Sequence, residues 1–303
     1  MTAKKSIRIA HFSDTHVLSL EGVGPGRFLN KRWTGALNLA LNRSRHYRVE
    51  IFEALLDAVS AQAPDHSICT GDLVNLALEP EFERVAALLV AHFGADALTL
   101  VPGNHDAYCK DAVDADLFAR HFGRWQPRLG SDAYPVERVI DGVYILGLST
   151  AVPTPVFIAN GTLGPVQVGH VKPAFEQTEA KNRFRILMLH HPLFPEPKRR
   201  LDTMRRLTDA DTLLSTLADL GRDGPQLVVH GHNHEFKRMA LPGGAPVIQV
   251  ASASRSGETH HAEFNIYVIE DGRLAAIERH IHDPSTHRFV PCDEHGAPLA
   301  RAA

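Results

Sequence analysis

Short apolar runs rich in β-branched residues recur along this chain, and most are followed directly by Asp, Asn, His or Gly. The runs are residues 7–12 (IRIAHF), 67–70 (SICT), 97–101 (ALTLV), 143–148 (VYILGL), 185–189 (RILML) and 227–229 (LVV). Runs of this length that are bounded by turn residues are typical of buried strands. The chain is therefore predicted to fold around sheets whose strands end in polar loops.

Segments with the apolar spacing of helices separate these predicted strands, at residues 49–62, 79–93 and 208–220. The third opens with TDAD, which resembles a capping box, and is followed by Gly221 as a C-cap. Strands that alternate with helices imply βαβ crossovers and sheets covered on both faces. Residues 263–281 instead predict a hairpin around Asp271-Gly272, which favours mixed sheets.

The domain organisation follows from the absence of breaks in this pattern. No internal repeat, low-complexity tract or linker interrupts the sequence, so residues 1–303 are predicted to form one α/β domain. Within it, residues 21–48 are interpreted as a basic insertion or lid. Residues 263–303 are interpreted as a C-terminal hairpin followed by a solvated tail that carries several histidines.

Composition excludes several classes of protein. An apolar content of 44% with 22% charged residues is ordinary for a globular protein, and a net charge of −3 indicates no general attraction to nucleic acid or anionic membranes. Three widely separated cysteines do not form a disulfide framework. The N-terminus lacks the apolar core of a secretory signal, and no apolar run is long enough to span a bilayer. These features predict a cytoplasmic protein.

The segment 21–48 is unusual because it contains six lysines and arginines but only one acidic residue, Glu21. The basic residues are Arg27, Lys31, Arg32, Arg43, Arg45 and Arg48, and the apolar positions at helical spacing are Leu29, Trp33, Ala36, Leu37 and Ala40. One interpretation is an amphipathic lid that meets an anionic or lipid-bearing substrate, or the surface of a membrane. The other is an ordinary surface helix with its charges in solvent.

Chemically versatile side chains stand at the ends of five of the six predicted strands. They are Asp14, His16, Asp72, Asn75, Asn104, His105, Asp106, His190, His232 and His234. In open α/β sheets, ligands bind at the carboxyl ends of the strands. Each short motif alone is typical of a turn, but their succession after one strand after another predicts a common site.

The stretch VVHGHNHEF, residues 228–236, shows how such a site would be built. Its histidines alternate, but Gly231 and Asn233 favour a turn, so the strand is expected to end near His230. The loop would then present two imidazoles, which are common metal ligands, to one point. A solvated polar turn is the alternative for this stretch alone.

Seven of these side chains are candidate metal ligands: Asp14, His16, Asp72, Asn104, His190, His232 and His234. They exceed the four ligands of a tetrahedral zinc site and suit two metal ions about 3.5–4 Å apart that share a carboxylate. Two carboxylates would leave residual positive charge, which would attract a phosphate and lower the pKa of a bridging water. The mixture of oxygen and nitrogen ligands suits divalent or mixed-valence iron, manganese, zinc or cobalt.

The ordered motifs D-x-H, GD-x-x-N, GNHD, H-x-P and GH-x-H resemble those of the calcineurin-like metallophosphoesterase superfamily. The resemblance implies a four-layer α/β/β/α sandwich with two mixed sheets and a dinuclear centre. One ion would be held by Asp14, His16, Asp72 and His234. The other would be held by Asp72, Asn104, His190 and His232, so that Asp72 bridges the two ions.

The resemblance also implies roles for residues that are not ligands. His105 resembles the histidine that binds a phosphoryl oxygen and protonates the leaving group. Asp106 is a candidate for orienting that imidazole. Asn75 is a candidate for contacting substrate, and its alternative is to close a turn. His191 stands beside the proposed ligand His190, which the H-x-P motif favours.

The stretch GDLVNLAL, residues 71–78, lacks the Asp-Arg-Gly of the phosphoprotein phosphatases in this superfamily. It resembles instead the bacterial branch related to class III cyclic-nucleotide phosphodiesterases. The implied activity is hydrolysis of a small phosphodiester or phosphomonoester by a metal-bound hydroxide. One alternative is a lipid-linked pyrophosphatase of the UDP-2,3-diacylglucosamine hydrolase type, which would use the segment 21–48. Another is a protein-binding scaffold, although every ligand position is filled.

Overall fold

Twelve strands and eight α-helices make up the part of the computed structural model that is described, residues 6–38, 47–127, 133–196, 202–257 and 261–296. The strands are β1 (Ser6–Phe12), β2 (His66–Cys69), β3 (Leu98–Leu100), β4 (Val136–Ile140), β5 (Val143–Gly147), β6 (Phe184–Met188), β7 (Leu227–His230), β8 (Lys237–Ala240), β9 (Pro246–Gln249), β10 (Glu263–Glu270), β11 (Arg273–Asp283) and β12 (Arg288–Cys292). The helices are α1 (Arg32–Asn38), α2 (Val49–Ala61), α3 (Glu79–His92), α4 (Lys110–Asp114), α5 (Leu117–Phe122), α6 (Gly164–Glu176), α7 (Thr178–Lys181) and α8 (Ala210–Leu220). None of these helices is both long and apolar enough to cross a membrane.

The strands form two mixed sheets of six strands each, with the orders β12-β11-β10-β1-β2-β3 and β4-β5-β6-β7-β9-β8. In the first sheet β1, β2 and β3 run parallel, and the C-terminal strands are added antiparallel to β1. In the second sheet β5, β6, β7 and β9 run parallel, and the two edge strands are antiparallel. Both sheets are therefore mixed, as predicted.

Three apolar clusters show how the layers are stacked. Side chains such as Ile9 of the first sheet and Ile186 of the second pack together between the sheets. Phe52 of α2 packs in the cluster on the outer face of the first sheet, and Phe175 of α6 packs in the cluster on the outer face of the second. The order helix, sheet, sheet, helix confirms the four-layer sandwich. Each fully buried side chain of this size contributes about 1.5–3 kcal/mol.

The predicted elements are confirmed to within one residue for the six strands and within two residues for the three helices. Gly221 is the C-cap of α8, as predicted, but the capping prediction for the N-terminus of this helix is wrong. Asp209 occupies the N-cap position of α8, but its side chain makes no capping bond there. Its carboxylate instead accepts the backbone N–H groups of Leu163 and Gly164, at 2.8–3.1 Å, where α6 begins. Asp209 therefore caps the N-terminus of the neighbouring helix α6 and does not cap the N-terminus of α8.

The C-terminal hairpin is confirmed, because β10 and β11 are joined by Asp271 and Gly272, whose φ angles are +51° and +69°. The prediction of a solvated tail is wrong over the described residues. A further strand, β12, pairs with β11, and His280 and His282 are 2% and 4% exposed. The ring of His280 stacks on Phe264 with 4.5 Å between centroids. Packing against this aromatic side chain accounts for the burial of the imidazole.

In the described part of the segment 21–48 the only α-helix is α1, so the helical spacing that starts at Leu29 becomes a helix from Arg32 onwards. Arg32 is 1% exposed and donates to the carbonyls of Leu76 and Ala77 and to the carboxylate of Asp111. Leu29 and Trp33 are 89% and 57% exposed. The charge of Arg32 thus lies inside while Leu29 and Trp33 lie outside, because three protein acceptors satisfy the buried guanidinium. The side chains predicted at 36, 37, 40, 43 and 45 lie outside the described residues.

Candidate metal centre

The predicted ligands follow five parallel strands drawn from both sheets. Asp14 and His16 follow β1, Asp72 follows β2, and Asn104 follows β3. In the other sheet His190 follows β6, and the loop after β7 carries the last pair, His232 and His234. The carboxyl ends of the two sheets therefore meet at one edge of the sandwich.

Five of the seven predicted ligands have a backbone φ in the left-handed region, which is uncommon for residues other than glycine. They are Asp14 (57°), His16 (45°), Asp72 (54°), His232 (77°) and His234 (60°). Neighbouring backbone stabilises these conformations: Asp14 N–H donates to the Gly71 carbonyl at 2.8 Å, and His16 N–H donates to the Asp72 carbonyl at 3.0 Å. Such conformations cluster at functional sites, where surrounding structure offsets their cost of about 1–3 kcal/mol each.

One cluster contains Asp14, His16, Asp72 and His234, whose ligand atoms all lie within 4.8 Å of one another. His234 Nε2 lies 3.1 Å from both His16 Nε2 and the Asp14 Oδ1 atom. His16 Nε2 lies 3.7 Å from Asp72 Oδ2. All four residues are buried.

A second cluster contains Asn104, His190 and His232, and it meets the first at Asp72. Asn104 Oδ1 lies 3.0 Å from His232 Nδ1 and 3.2 Å from His190 Nε2. His190 Nε2 is also 3.4 Å from Asp72 Oδ2, the oxygen that faces His16 in the first cluster. The other oxygen, Asp72 Oδ1, accepts the backbone N–H of His105 at 2.7 Å. Asp72 is therefore held by one oxygen and shared between the two clusters through the other.

The donor atoms of both clusters suit metal ions. Ligands about 2.0–2.2 Å from a common ion stand roughly 3–3.5 Å apart, which is the spacing of most of these contacts. The ring nitrogens of His16 and His234 face each other at 3.1 Å, so at most one proton can lie between them. His232 Nε2 is buried without a hydrogen-bond partner among the described residues, so its Nδ1 is its only polar contact with the cluster. These residues fit two small cations bound by oxygen and nitrogen.

Charge and burial set the protonation of these groups, and an ion that binds to His190 must displace the proton of that imidazole. Burial opposes ionisation of Asp72, but the neighbouring His190, His105 and His16 hold its pKa well below the ordinary value. Against the effect of burial, Asp72 raises the pKa of His190 to about 9. Burial, together with His191, lowers the pKa of His232 well below its ordinary value. His232 is thus in the neutral form that binds metals, and Asp72 supplies the negative charge.

His191 lies beside the second cluster, where its ligand atom is within 4.8 Å of those of His190 and His232. Both of its nitrogens are engaged elsewhere: Nδ1 with Thr150 Oγ1 at 2.7 Å and Nε2 with the Ala159 carbonyl at 3.2 Å. Its ring centroid is 4.6 Å from that of His232. His191 therefore packs behind a predicted ligand and ties it to the loop that carries Ala159.

The structure places His105 at the edge of the first cluster, with its ring 4.7 Å from that of His16. His105 Nδ1 lies 2.6 Å from the carbonyl of Asn75, so it carries a proton that it donates to that oxygen. Asn75 thus orients the imidazole through its backbone, while its side-chain amide donates to the His16 carbonyl at 3.3 Å. Asp106 does not make the orienting contact, because its carboxylate accepts the backbone N–H groups of Leu73, Val74 and Gly103.

Two residues that the sequence patterns do not single out also contact the site. The Tyr47 hydroxyl lies 2.8 Å from His234 Nδ1, and the Tyr108 ring stacks on His105 with 5.3 Å between centroids. Lys31 Nζ lies 4.3 Å from the centre of the Tyr108 ring. Tyr108 follows the GNHD motif closely enough to be suspected from sequence. Tyr47 is far from every motif, and no sequence signal indicates it.

Glycines allow the loops of the site to approach each other closely. A Cβ at Gly231 would lie 2.1 Å from Ser13 Oγ and 2.3 Å from Asp14 Oδ2. A Cβ at Gly103 would lie 2.2 Å from Asp72 Oδ1. The glycines of the GHNH and GNHD motifs are therefore required by contact with predicted ligands.

The fold is shared with solved phosphatase structures of low sequence identity. A dimetal phosphatase from Danio rerio matches with a TM-score of 0.60 at 14% identity, over 95% of this chain and 99% of that one. A purple acid phosphatase from yellow lupin (Lupinus luteus) seeds matches with a TM-score of 0.57 at 11% identity, over 99% and 57% of the two chains. A structure of PhoD matches with a TM-score of 0.59 at 8% identity, over 98% and 72%.

The family is shown by sequence. No curated protein sequence matches the chain. Residues 7–236, which contain both ligand clusters, match the model of the calcineurin-like phosphoesterases. The chain therefore belongs to the calcineurin-like phosphoesterase family, as a metal-dependent hydrolase of phosphoesters.

Proposed function

We propose that the protein hydrolyses a small phosphoester, a diester in preference to a monoester, at a dinuclear metal centre. One ion is held by Asp14, His16, Asp72 and His234, and the other by Asp72, Asn104, His190 and His232. The observation that carries this proposal is the position of Asp72 Oδ2, which lies 3.4 Å from His190 Nε2 and 3.7 Å from His16 Nε2. The preference for a diester rests on the GD-x-x-N motif, which resembles that of the class III phosphodiesterases.

The residues of the chain divide the work as follows. When bound, two divalent ions supply Lewis acidity toward a phosphoryl oxygen and lower the pKa of a bound water. Asp72 and Asp14 supply negative charge, and the neutral imidazoles and Asn104 complete the ligand sets without cancelling more of the metal charge. Residual positive charge then favours a phosphate anion in the cleft.

The proposed role of His105 is to protonate the leaving group. Because its Nδ1 donates to the Asn75 carbonyl, the proton that it exchanges with a substrate is carried on Nε2. In the imidazolium form Nε2 also carries a proton, and passing it to the departing oxygen would neutralise the charge that develops there and leave a neutral imidazole. Asn75 and Asp106 support this arrangement through the loops, and a direct contact of Asn75 with substrate remains a prediction.

The test is a substrate panel on protein that has been stripped of metal and reloaded separately with manganese, cobalt, zinc or iron. Bis-p-nitrophenyl phosphate and p-nitrophenyl phosphate report diester and monoester hydrolysis, and elemental analysis reports the ions bound. We expect turnover that depends on metal, with the diester preferred. We also expect Asp72→Ala and Asn104→Ala to lower the rate at least ~100-fold while the protein stays folded. Near-normal rates in either variant would contradict the shared centre, and no hydrolysis with any metal would favour a scaffold role.

A second candidate is a phosphoester or pyrophosphate that carries a lipid or other large apolar group. It is favoured by the exposure of Leu29 and Trp33 on the segment that flanks the site. Lys31 of this segment donates to Thr154 Oγ1 at 2.9 Å, and Phe157 of the same loop is 81% exposed. The basic side chains of Arg27, Lys31 and Arg32 contact protein groups, so the apolar residues support this candidate more than the charges do.

The two candidates differ in their response to acyl chains. If the substrate is lipid-linked, detergent-dispersed acylated substrates should be hydrolysed faster than water-soluble esters. Trp33→Ala should then slow only the acylated substrates. Equal rates on both kinds of substrate, unchanged in Trp33→Ala, would reject the lipid version.

A cytoplasmic location is proposed on the free thiols of Cys69, Cys109 and Cys292, all of which are buried.

A further inference from the structure

Tyr47 makes two contacts with the first ligand cluster. Its hydroxyl lies 2.8 Å from His234 Nδ1, and its ring meets that of His16 edge-on, with 4.7 Å between centroids. His16 and His234 are the two imidazoles of that cluster, and their Nε2 atoms are 3.1 Å apart. One side chain therefore contacts both imidazoles of the cluster.

The hydrogen bond between His234 and Tyr47 determines which nitrogen of His234 is available for a metal ion. His234 Nε2 faces Asp14 Oδ1 and His16 Nε2, so the cluster needs the lone pair of this atom. A neutral imidazole with a lone pair on Nε2 carries its proton on Nδ1, and here that N–H donates to the Tyr47 hydroxyl oxygen. Histidines that bind metals commonly donate their other N–H to such an acceptor, which fixes the ring and the tautomer.

The backbone of Tyr47 is attached to the same loops that hold the cluster. Tyr47 forms an isolated antiparallel bridge with Arg255, and the N–H of Arg48 donates to the Ser254 carbonyl at 3.1 Å. The Ser254 hydroxyl in turn donates to the Thr15 carbonyl at 2.6 Å. Thr15 lies between Asp14 and His16, so the backbone beside Tyr47 is tied to the loop that carries two ligands.

The second cluster has no equivalent support on His232. Its Nε2 is buried without a hydrogen-bond partner among the described residues. His191 packs on the His232 ring but uses its own nitrogens for Thr150 and Ala159. The two clusters should therefore respond differently to the loss of the phenol.

We propose that Tyr47 is a positioning residue that fixes the tautomer and orientation of His234 and so raises the metal affinity of one half of the centre. This inference rests on the proposed dinuclear function. It also gives the segment 21–48 a role in the site, because Tyr47 stands at the C-terminal end of that segment.

The test compares Tyr47→Phe, which keeps the ring against His16 and removes the hydroxyl, with Tyr47→Ala, which removes both. Metal-free protein is titrated with Co²⁺ alone, by calorimetry and by the visible absorption of the bound ion. We expect wild type to bind two ions and Tyr47→Phe to lose about 10–100-fold in affinity at one step while keeping the other. The loss in Tyr47→Ala should be at least as large. The metal-free melting temperature of Tyr47→Phe should match that of wild type.

The matched control is Tyr144→Phe, at a buried tyrosine whose hydroxyl accepts a hydrogen bond from Gln177 at 2.8 Å in the outer part of the second sheet. It should leave both Co²⁺ steps unchanged. Two unchanged steps in Tyr47→Phe, or an equal loss in Tyr144→Phe, would overturn the inference while leaving the dinuclear centre in place. Fewer than two Co²⁺ ions in wild type would contradict the centre itself, and the inference with it.

Discussion

At the scale of single residues, the site is built from backbone conformations that most side chains avoid. Left-handed φ angles turn Asp14, His16, Asp72, His232 and His234 out of their strands. Without those turns, a strand would direct successive side chains to opposite faces of the sheet. The neighbouring loops hold the turns with backbone hydrogen bonds, so the backbone itself orients the ligands.

Replacing Gly231 with alanine should damage this arrangement. The new Cβ would lie about 2 Å from Ser13 and Asp14, which must move, so we expect a loss of about 1–3 kcal/mol in the free energy of unfolding together with weaker metal binding. Urea denaturation and metal titration measure the two effects. Gly243→Ala is the control, because a Cβ there meets nothing within 4 Å. Equal free energies of unfolding for the two variants would contradict this expectation, because they would show that the loops accommodate the extra Cβ without loss of stability.

Replacing His105 with alanine should reveal the proton that it supplies. We expect the rate to fall by about 10²–10⁴ for an ester with a poorly acidic alcohol as leaving group, and by much less for p-nitrophenyl esters. The reason is that p-nitrophenolate is stable without a proton. Metal content should stay at the wild-type level. A loss of equal size for both leaving groups would assign His105 to phosphate binding alone.

The motifs predict which residues gather, but they do not predict the atoms each residue uses. The contacts of Asp106 go to backbone N–H groups, and those of His105 go to the Asn75 carbonyl. Backbone partners of this kind depend on how three loops pack together, and the residue types in the sequence do not indicate that packing. For the same reason the sequence does not indicate Tyr47.

At the scale of elements, the N-terminus of α3 shows how a buried carboxyl group organises the loop that follows Asp72. The carboxylate of Glu81 accepts the backbone N–H groups of Leu76 and Leu78 at 2.9 and 3.0 Å. Burial raises the pKa of Glu81 to about 8, although these N–H groups lower it. The start of α3 is thereby joined to the same stretch whose carbonyls hold Arg32 of α1.

The raised pKa of Glu81 predicts a dependence of stability on pH. A carboxyl whose folded pKa exceeds its ordinary 4.5 binds its proton more tightly in the folded state. Its contribution to stability is therefore complete below the unfolded value and declines as pH rises through the folded one. In wild type the free energy of unfolding should fall by an amount on the order of 2 kcal/mol between about pH 5 and pH 8. Glu81→Gln should not show this fall. Urea denaturation across this range measures the effect, with the exposed Glu83→Gln as control. Parallel pH profiles for wild type and Glu81→Gln would contradict the raised pKa.

Strands and the hairpin could be predicted because their signals are local: an apolar run between turn residues, or Asp-Gly between two such runs. The orientation of α1 could not be predicted in this way. Arg32 is buried because it meets the carbonyls of Leu76 and Ala77 and the carboxylate of Asp111, all far from it in sequence. Strand β12 was missed for a similar reason, since it exists only through pairing with β11.

At the scale of the whole molecule, the centre depends on two sheets stacked with their carboxyl ends at the same edge. Asp14, Asp72 and Asn104 come from the first sheet, and His190 and His232 come from the second. Periodicity alone predicts mixed sheets covered by helices but does not say how the sheets are stacked. The four-layer arrangement was expected only from the ordered motifs and their resemblance to a family.

The central claim is that one carboxylate, that of Asp72, joins two metal ions held by ligands from both sheets. The most direct measurement is anomalous X-ray diffraction from crystals of manganese-loaded protein. We expect two peaks about 3.5–4 Å apart, with Asp72 between them and the two clusters on either side. A single peak, or peaks that Asp72 does not join, would contradict the account.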